Sequence, residues 1–89
     1  MIKQSEIEKV IINAISEIIK HENNIDLNTL FTGAESSYES IDIIQIISSI
    51  EDQLEKKGYE GCDLLEKIFE NDKLTFYQLS QVIKNYLNS

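Results

Sequence analysis

Apolar residues recur three and four positions apart along most of the chain, the spacing of one face of a helix, and do not alternate as they would in a strand. In the first segment Ile7, Val10, Ile11, Ala14, Ile15 and Ile18 form such a stripe, with Glu6, Glu8, Lys9, Asn13, Glu17 and Lys20 turned to water. Ser5 and Glu8 stand at the Ser-x-x-Glu spacing of a capping box, so the pattern predicts a helix from Glu6 to Lys20. Ile43, Ile46, Ile47, Ile50 and Leu54 share one face of a second helix, Ile41 to Lys56, with Ser40 as its N-cap and Gly58 as its stop. Leu64, Leu65, Ile68 and Phe69 indicate a short third helix, Asp63 to Glu70, broken by Asn71, Asp72 and Lys73. Thr75 and Gln78 repeat the capping-box spacing before Phe76, Leu79, Val82, Ile83, Tyr86 and Leu87, so a last helix runs from Phe76 to Leu87.

Between the first two helices, from His21 to Glu39, polar and small residues interrupt Ile25, Leu27, Leu30 and Phe31. This reads as a long loop whose apolar residues pin it to the core. Loops of that length in small domains are often functional, and this one leads directly to Ser40. The expected fold is all-α: a four-helix bundle with a long loop between helices 1 and 2 and a short third helix.

Length and composition narrow the classes. The 89 residues suffice for one domain, 1–89, and 42% hydrophobic against 27% charged residues is a folding composition. No run approaches the roughly 18 apolar residues of a membrane span, and Lys3, Gln4, Ser5 and Glu6 do not open a signal peptide, so a cytoplasmic protein is expected. Cys62 is the sole cysteine and lacks zinc-ligand partners; a half-buried apolar role is its simplest reading. The formal charge of −8 opposes binding to nucleic acid and favours basic patches on protein partners. The single histidine, His21, joins no triad, and no Asp-x-Asp-x-Asp-Gly calcium loop is present. An enzyme is not expected.

The most informative stretch is Ser37-Tyr38-Glu39-Ser40-Ile41-Asp42-Ile43-Ile44, continuing to Ile50-Glu51-Asp52-Gln53-Leu54. A phosphodiester on Ser40 would sit at a helix amino end, where unpaired amides and the positive dipole favour negative charge. A plain N-cap is the common role of such a serine. On a helical wheel Ile44 lies about 40° and Ile41 about 100° from Ser40, both away from the core stripe, and Glu51 lies nearly in line with it. Glu39, Asp42 and Glu51 rim this face with carboxylates, a surface suited to steering a basic partner.

This stretch resembles the acyl carrier proteins, whose mark is Asp-Ser-Leu at the head of the second helix with an Ile-Glu or Leu-Glu pair about ten residues on. The triplet here is Glu39-Ser40-Ile41 and the pair Ile50-Glu51; Leu30-Phe31, Gly33 and the Thr-Phe-x-x-Leu opening of the last helix extend the likeness. The resemblance implies a covalent 4′-phosphopantetheine on Ser40, attached by a phosphopantetheinyl transferase and carrying acyl or aminoacyl thioesters. It implies docking of acyl-activating, acyltransferase or synthase enzymes on Glu39, Ile41, Asp42, Ile44, Glu51 and Asp52. It further implies that Ile46, Ile47, Ile50, Leu54, Leu65 and Ile68 shelter the acyl chain, in a protein expected to act as a monomer. Glu for Asp before the serine, Ile for Leu after it, Tyr38 and Gln45 depart from the family pattern and are more like stand-alone carriers of specialised pathways, including polyketide and surface-polysaccharide synthesis beside fatty acid synthesis. The alternative is an unmodified acidic helical interaction module, in which Ser40 only caps its helix.

Overall fold

A computed structural model describes residues 2–19, 25–59 and 63–88 of the protein. Lys20, His21 and Cys62 lie outside these residues, and so does the end of the predicted first helix. The described elements are α1 (Gln4–Ile18), β1 (Leu30–Thr32), α2 (Ser40–Lys56), α3 (Leu64–Phe69), β2 (Leu74–Thr75) and α4 (Phe76–Leu87). The described residues are thus mainly helical, with four helices and one small sheet.

α1 starts before the predicted capping box. Lys3 is its N-cap and offers no side-chain bond, and Ser5 lies inside the helix. The first turn is held from outside instead. Gln4 Nε2 donates to Ser80 Oγ at 2.6 Å and to Glu8 Oε2 at 2.9 Å, and Gln4 Oε1 accepts from Gln81 Nε2 at 2.9 Å. A polar side chain gripped by α4 replaces the local cap that the sequence pattern suggests. The predicted stripe is buried from Ile7 to Ile15, with Ile18 half-buried against the same core.

α2 buries Ile43, Ile46, Ile47, Ile50 and Leu54 as their spacing requires, together with Ser49. At its end the Tyr59 amide bonds the Leu54 carbonyl at 2.9 Å and the Gly58 amide bonds the Glu55 carbonyl at 3.0 Å. This is a Schellman motif, and its left-handed residue is Gly58, with φ of 99°. α4 opens on the expected box: Gln78 N–H donates to Thr75 Oγ1 at 3.2 Å, and Thr75 N–H donates to Gln78 Oε1 at 2.9 Å.

The loop before Ser40 is more structured than its composition suggests. Residues 30–32 pair antiparallel with residues 74–75, in an irregular register of Leu30 with Thr75 and Thr32 with Leu74. Two further bonds extend the join, from Phe76 N–H to the Thr29 carbonyl at 3.0 Å and from Tyr77 N–H to the Leu27 carbonyl at 2.7 Å. Phe31 and Thr32 are both buried, so β1 shows none of the alternation by which a strand is read from sequence. All-α therefore needs the addition of this sheet.

α1 packs against α2 and α4, and the shorter α3 lies against α2 and α4. Their inner faces make one core, from Ile7, Ile11 and Ile15 through Ile46, Ile50 and Leu54 to Leu79 and Ile83, with Phe31 and Phe76 at its β end. Among the described residues no helix is long and apolar enough to cross a membrane.

Candidate functional site

The chain approaches Ser40 along a path fixed at three points. The first is Gly33, which follows β1 with φ of +119°. A Cβ at this position would come within 2.7 Å of Lys73 Cβ, so the two chain segments cross where only glycine fits. The second is Ser36, whose hydroxyl donates to the Phe31 carbonyl at 2.6 Å and accepts from the Tyr38 amide at 3.1 Å, with a backbone turn from Ser36 N–H to the Gly33 carbonyl. The third is Tyr38. Its ring meets Phe76 edge-on at 5.6 Å and Phe31 at 6.0 Å, while Phe31 and Phe76 stack at 5.0 Å. An aromatic anchor two residues upstream thus sets where α2 begins.

Ser40 is the first residue of α2, and the N-cap is Glu39, with φ and ψ of −79° and 160°. The predicted cap is displaced by one residue because Glu39 and Asp42 form a capping box of their own. Each carboxylate faces the other residue's amide, and the Glu39 amide donates to Asp42 Oδ2 at 3.4 Å. The first helical bond runs from Ile43 N–H to the Glu39 carbonyl at 3.0 Å. The Ser40 hydroxyl is left uncommitted: the residue is exposed and its side chain bonds to nothing among the described residues. The amides of Ser40 and Ile41 precede any helical acceptor and lie at the electropositive end.

Around the serine the outward face of α2 is mixed. Ile41 is 58% and Ile44 42% exposed, unusual values for isoleucine on a helix that otherwise buries five apolar side chains. Glu39 and Asp52 are exposed, Asp42 is half-buried, and a hollow of about 360 Å³ between α1 and α2 is lined by Ile18 and Ile44 together with Glu17, Gln45, Ser48, Ser49 and Asp52. Glu51 differs from the other carboxylates. It is half-buried, and its Oε2 accepts from the Leu64 amide at 2.8 Å, which ties the start of α3 to α2. Of the six residues expected to shelter an acyl chain, Ile46, Ile47, Ile50, Leu54 and Ile68 are closed in the core, and Leu65 is half-buried beside them.

Comparison with protein-family models, with curated proteins and with solved structures returns no match for this chain. What the site can do must follow from its own geometry. It displays a hydroxyl where an attached anion meets unpaired amides, and apolar and acidic side chains surround it on the same face. The aromatic anchoring of Tyr38 on Phe76 and the bond from Leu64 to Glu51 are invisible to local sequence rules, because each depends on a partner supplied by another part of the fold, whereas the bonds of Ser36 are local and its place before Tyr38 was simply not read. The Tyr38 position does carry a signal, an aromatic residue set among polar loop residues immediately before the serine.

Proposed function

We propose that the chain is an acyl carrier protein, with 4′-phosphopantetheine joined to Ser40 Oγ through a phosphodiester. The observation that carries this reading is the exposed hydroxyl at the first position of α2, which bonds to nothing among the described residues and follows the segment anchored by Tyr38 and Ser36. In the loading step the Ser40 oxygen attacks the β-phosphorus of coenzyme A on a transferase. The new P–O bond forms as adenosine 3′,5′-bisphosphate departs, and the hydroxyl proton passes to a base of the transferase. The chain needs no base of its own.

The flanking carboxylates do not oppose the phosphodiester as fully as their sequence positions suggest. Glu39 and Asp42 are each turned toward an amide in the capping box, which leaves the Ser40 and Ile41 amides for the new anion. Glu39 and Asp52 are exposed and would guide a basic partner, while Ile41 and Ile44 supply a shallow apolar contact. The thiol of the arm would carry an acyl or aminoacyl thioester to acyl-activating, acyltransferase or synthase enzymes of fatty acid, polyketide or surface-polysaccharide synthesis. The four helices, with the serine heading the second and a short third, accord with the resemblance of the Glu39-Ser40-Ile41 stretch to that family.

Incubation with coenzyme A, magnesium and a broad-specificity phosphopantetheinyl transferase should add the mass of one phosphopantetheinyl group, read on the intact protein, and Ser40→Ala should add none. A transferase active on a control carrier that leaves this chain unaltered would refute the reading.

A further inference from the structure

The hollow of about 360 Å³ between α1 and α2 sets two apolar side chains, Ile18 and Ile44, beside two carboxylates, Glu17 and Asp52. Among the described residues neither carboxylate takes part in an ion pair or a hydrogen bond, and no basic residue lines the hollow. Other carboxylates of the same two helices are engaged: Glu6 pairs with Lys57 at 3.8 Å, Glu8 accepts from Gln4 at 2.9 Å, and Glu51 accepts from the Leu64 amide at 2.8 Å. Ser49 adds a second, independent sign. It lines the hollow although it is only 9% exposed. Its oxygen accepts from Gln53 Nε2 at 3.4 Å, while its own proton has no acceptor among the described residues. Buried donors are rarely left without an acceptor, so the hollow offers a place for one.

The hollow also lies within reach of Ser40. Ile44 follows the serine by one turn and Ser48 by two, about 6 and 12 Å along the helix axis. A phosphopantetheine arm spans about 15 Å when extended. A matching occupant carries a cation for the carboxylates, a short apolar part for the isoleucines and a carbonyl for the serine hydroxyls. We propose that the hollow cradles an aminoacyl load: the protonated amine of an α-aminoacyl thioester on the Ser40 arm faces Glu17 and Asp52, a small apolar side chain covers Ile18 and Ile44, and the carbonyl accepts from Ser48 or Ser49. This rests on the carrier reading and narrows it to one class of load. A fatty acyl chain laid here would strip water from the polar lining and return no bonds to it. Each contact is weak alone, but the tether holds the load at millimolar effective concentration.

The test loads the full chain, through the transferase, with an alanyl arm in which an amide replaces the thioester, and with a propionyl arm of the same shape that lacks the amine; intact mass confirms each. At about pH 6.5, where the amine is protonated, nuclear Overhauser contacts from the load's methyl group to the Ile18 methyls should be at least threefold stronger for alanyl than for propionyl. Glu17→Gln, or raised salt, should bring the alanyl contacts down to the propionyl level. The proposal is overturned if the alanyl arm does not touch Ile18, if propionyl touches it equally, or if Glu17→Gln keeps the full contact. The hollow is also tested without the arm: alanine methyl ester added to the unmodified chain should shift the Ile18 and Ile44 methyl signals, and methyl propionate at the same concentration should not. Equal shifts from the two esters overturn the preference for a cation. A chain that gains no mass refutes the carrier reading, whereas the ester titration still reads the hollow, so the two failures are told apart.

Discussion

Gly33 and Gly58 both have positive φ, at +119° and +99°, yet their surroundings differ, and the difference can be measured. At Gly58 an added Cβ meets nothing within 4 Å, so Gly58→Ala should cost only the backbone strain of an L-residue in that conformation, about 1–2 kcal/mol. At Gly33 the same strain is joined by a contact of 2.7 Å with Lys73 Cβ, and Lys73 Cα stands at 3.4 Å. These atoms belong to the root of a side chain and to the backbone, so they can yield only if the crossing opens. Overpacking of that kind costs about 1–3 kcal/mol, which puts Gly33→Ala at about 2–5 kcal/mol in all. Urea denaturation of both variants gives the comparison, and a double variant isolates the clash. Lys73→Gly removes the opposing Cβ and should recover most of the extra cost in the Gly33→Ala background, whereas Lys73→Ala keeps that atom and should recover none. Equal losses for the two glycine variants, or no coupling between positions 33 and 73, would refute the claim that this crossing is what demands glycine.

Other expectations follow from the site. Ser40→Ala should abolish loading while leaving the urea midpoint nearly unchanged, because its hydroxyl makes no bond among the described residues. Tyr38→Ala should lower stability by about 2 kcal/mol, as a half-buried member of a three-ring cluster, and should also slow loading, measured by denaturation and by initial rates of mass gain. Glu39→Lys should slow the transferase at low salt, with the deficit shrinking as salt is raised; rates insensitive to both would remove the steering role of this face. Gln4→Ala should cost about 1 kcal/mol through loss of its bonds to Ser80 and Gln81, read as a lower thermal midpoint.

What was legible in the sequence was whatever is decided locally. The bounds of α4, the box of Thr75 and Gln78, the left-handed Gly58 and the buried face of α2 all rest on spacings within one helix, and the structure has each of them. The start of α1 was misread because Gln4 draws its support from α4, 76 residues away in the case of Ser80. β1 was missed because three residues with two adjacent buried side chains show no period. At the site the sequence pointed to Ser40 itself but took it for the N-cap. The box that displaces it, Glu39 with Asp42, has the right spacing but carboxylates at both ends, a weaker signal than a serine or threonine start. Glu51 shows the limit most plainly. Its place on the helical wheel suggested an outward carboxylate, whereas the carboxylate serves an amide on another helix.

The join of residues 30–32 with residues 74–75 also fixes an order of events during synthesis. The segment that presents Ser40 cannot settle against Phe76 until that residue has left the ribosome. An enzyme that recognises the finished display, rather than a short peptide around the serine, would have to wait until the chain through Phe76 has emerged before it could act.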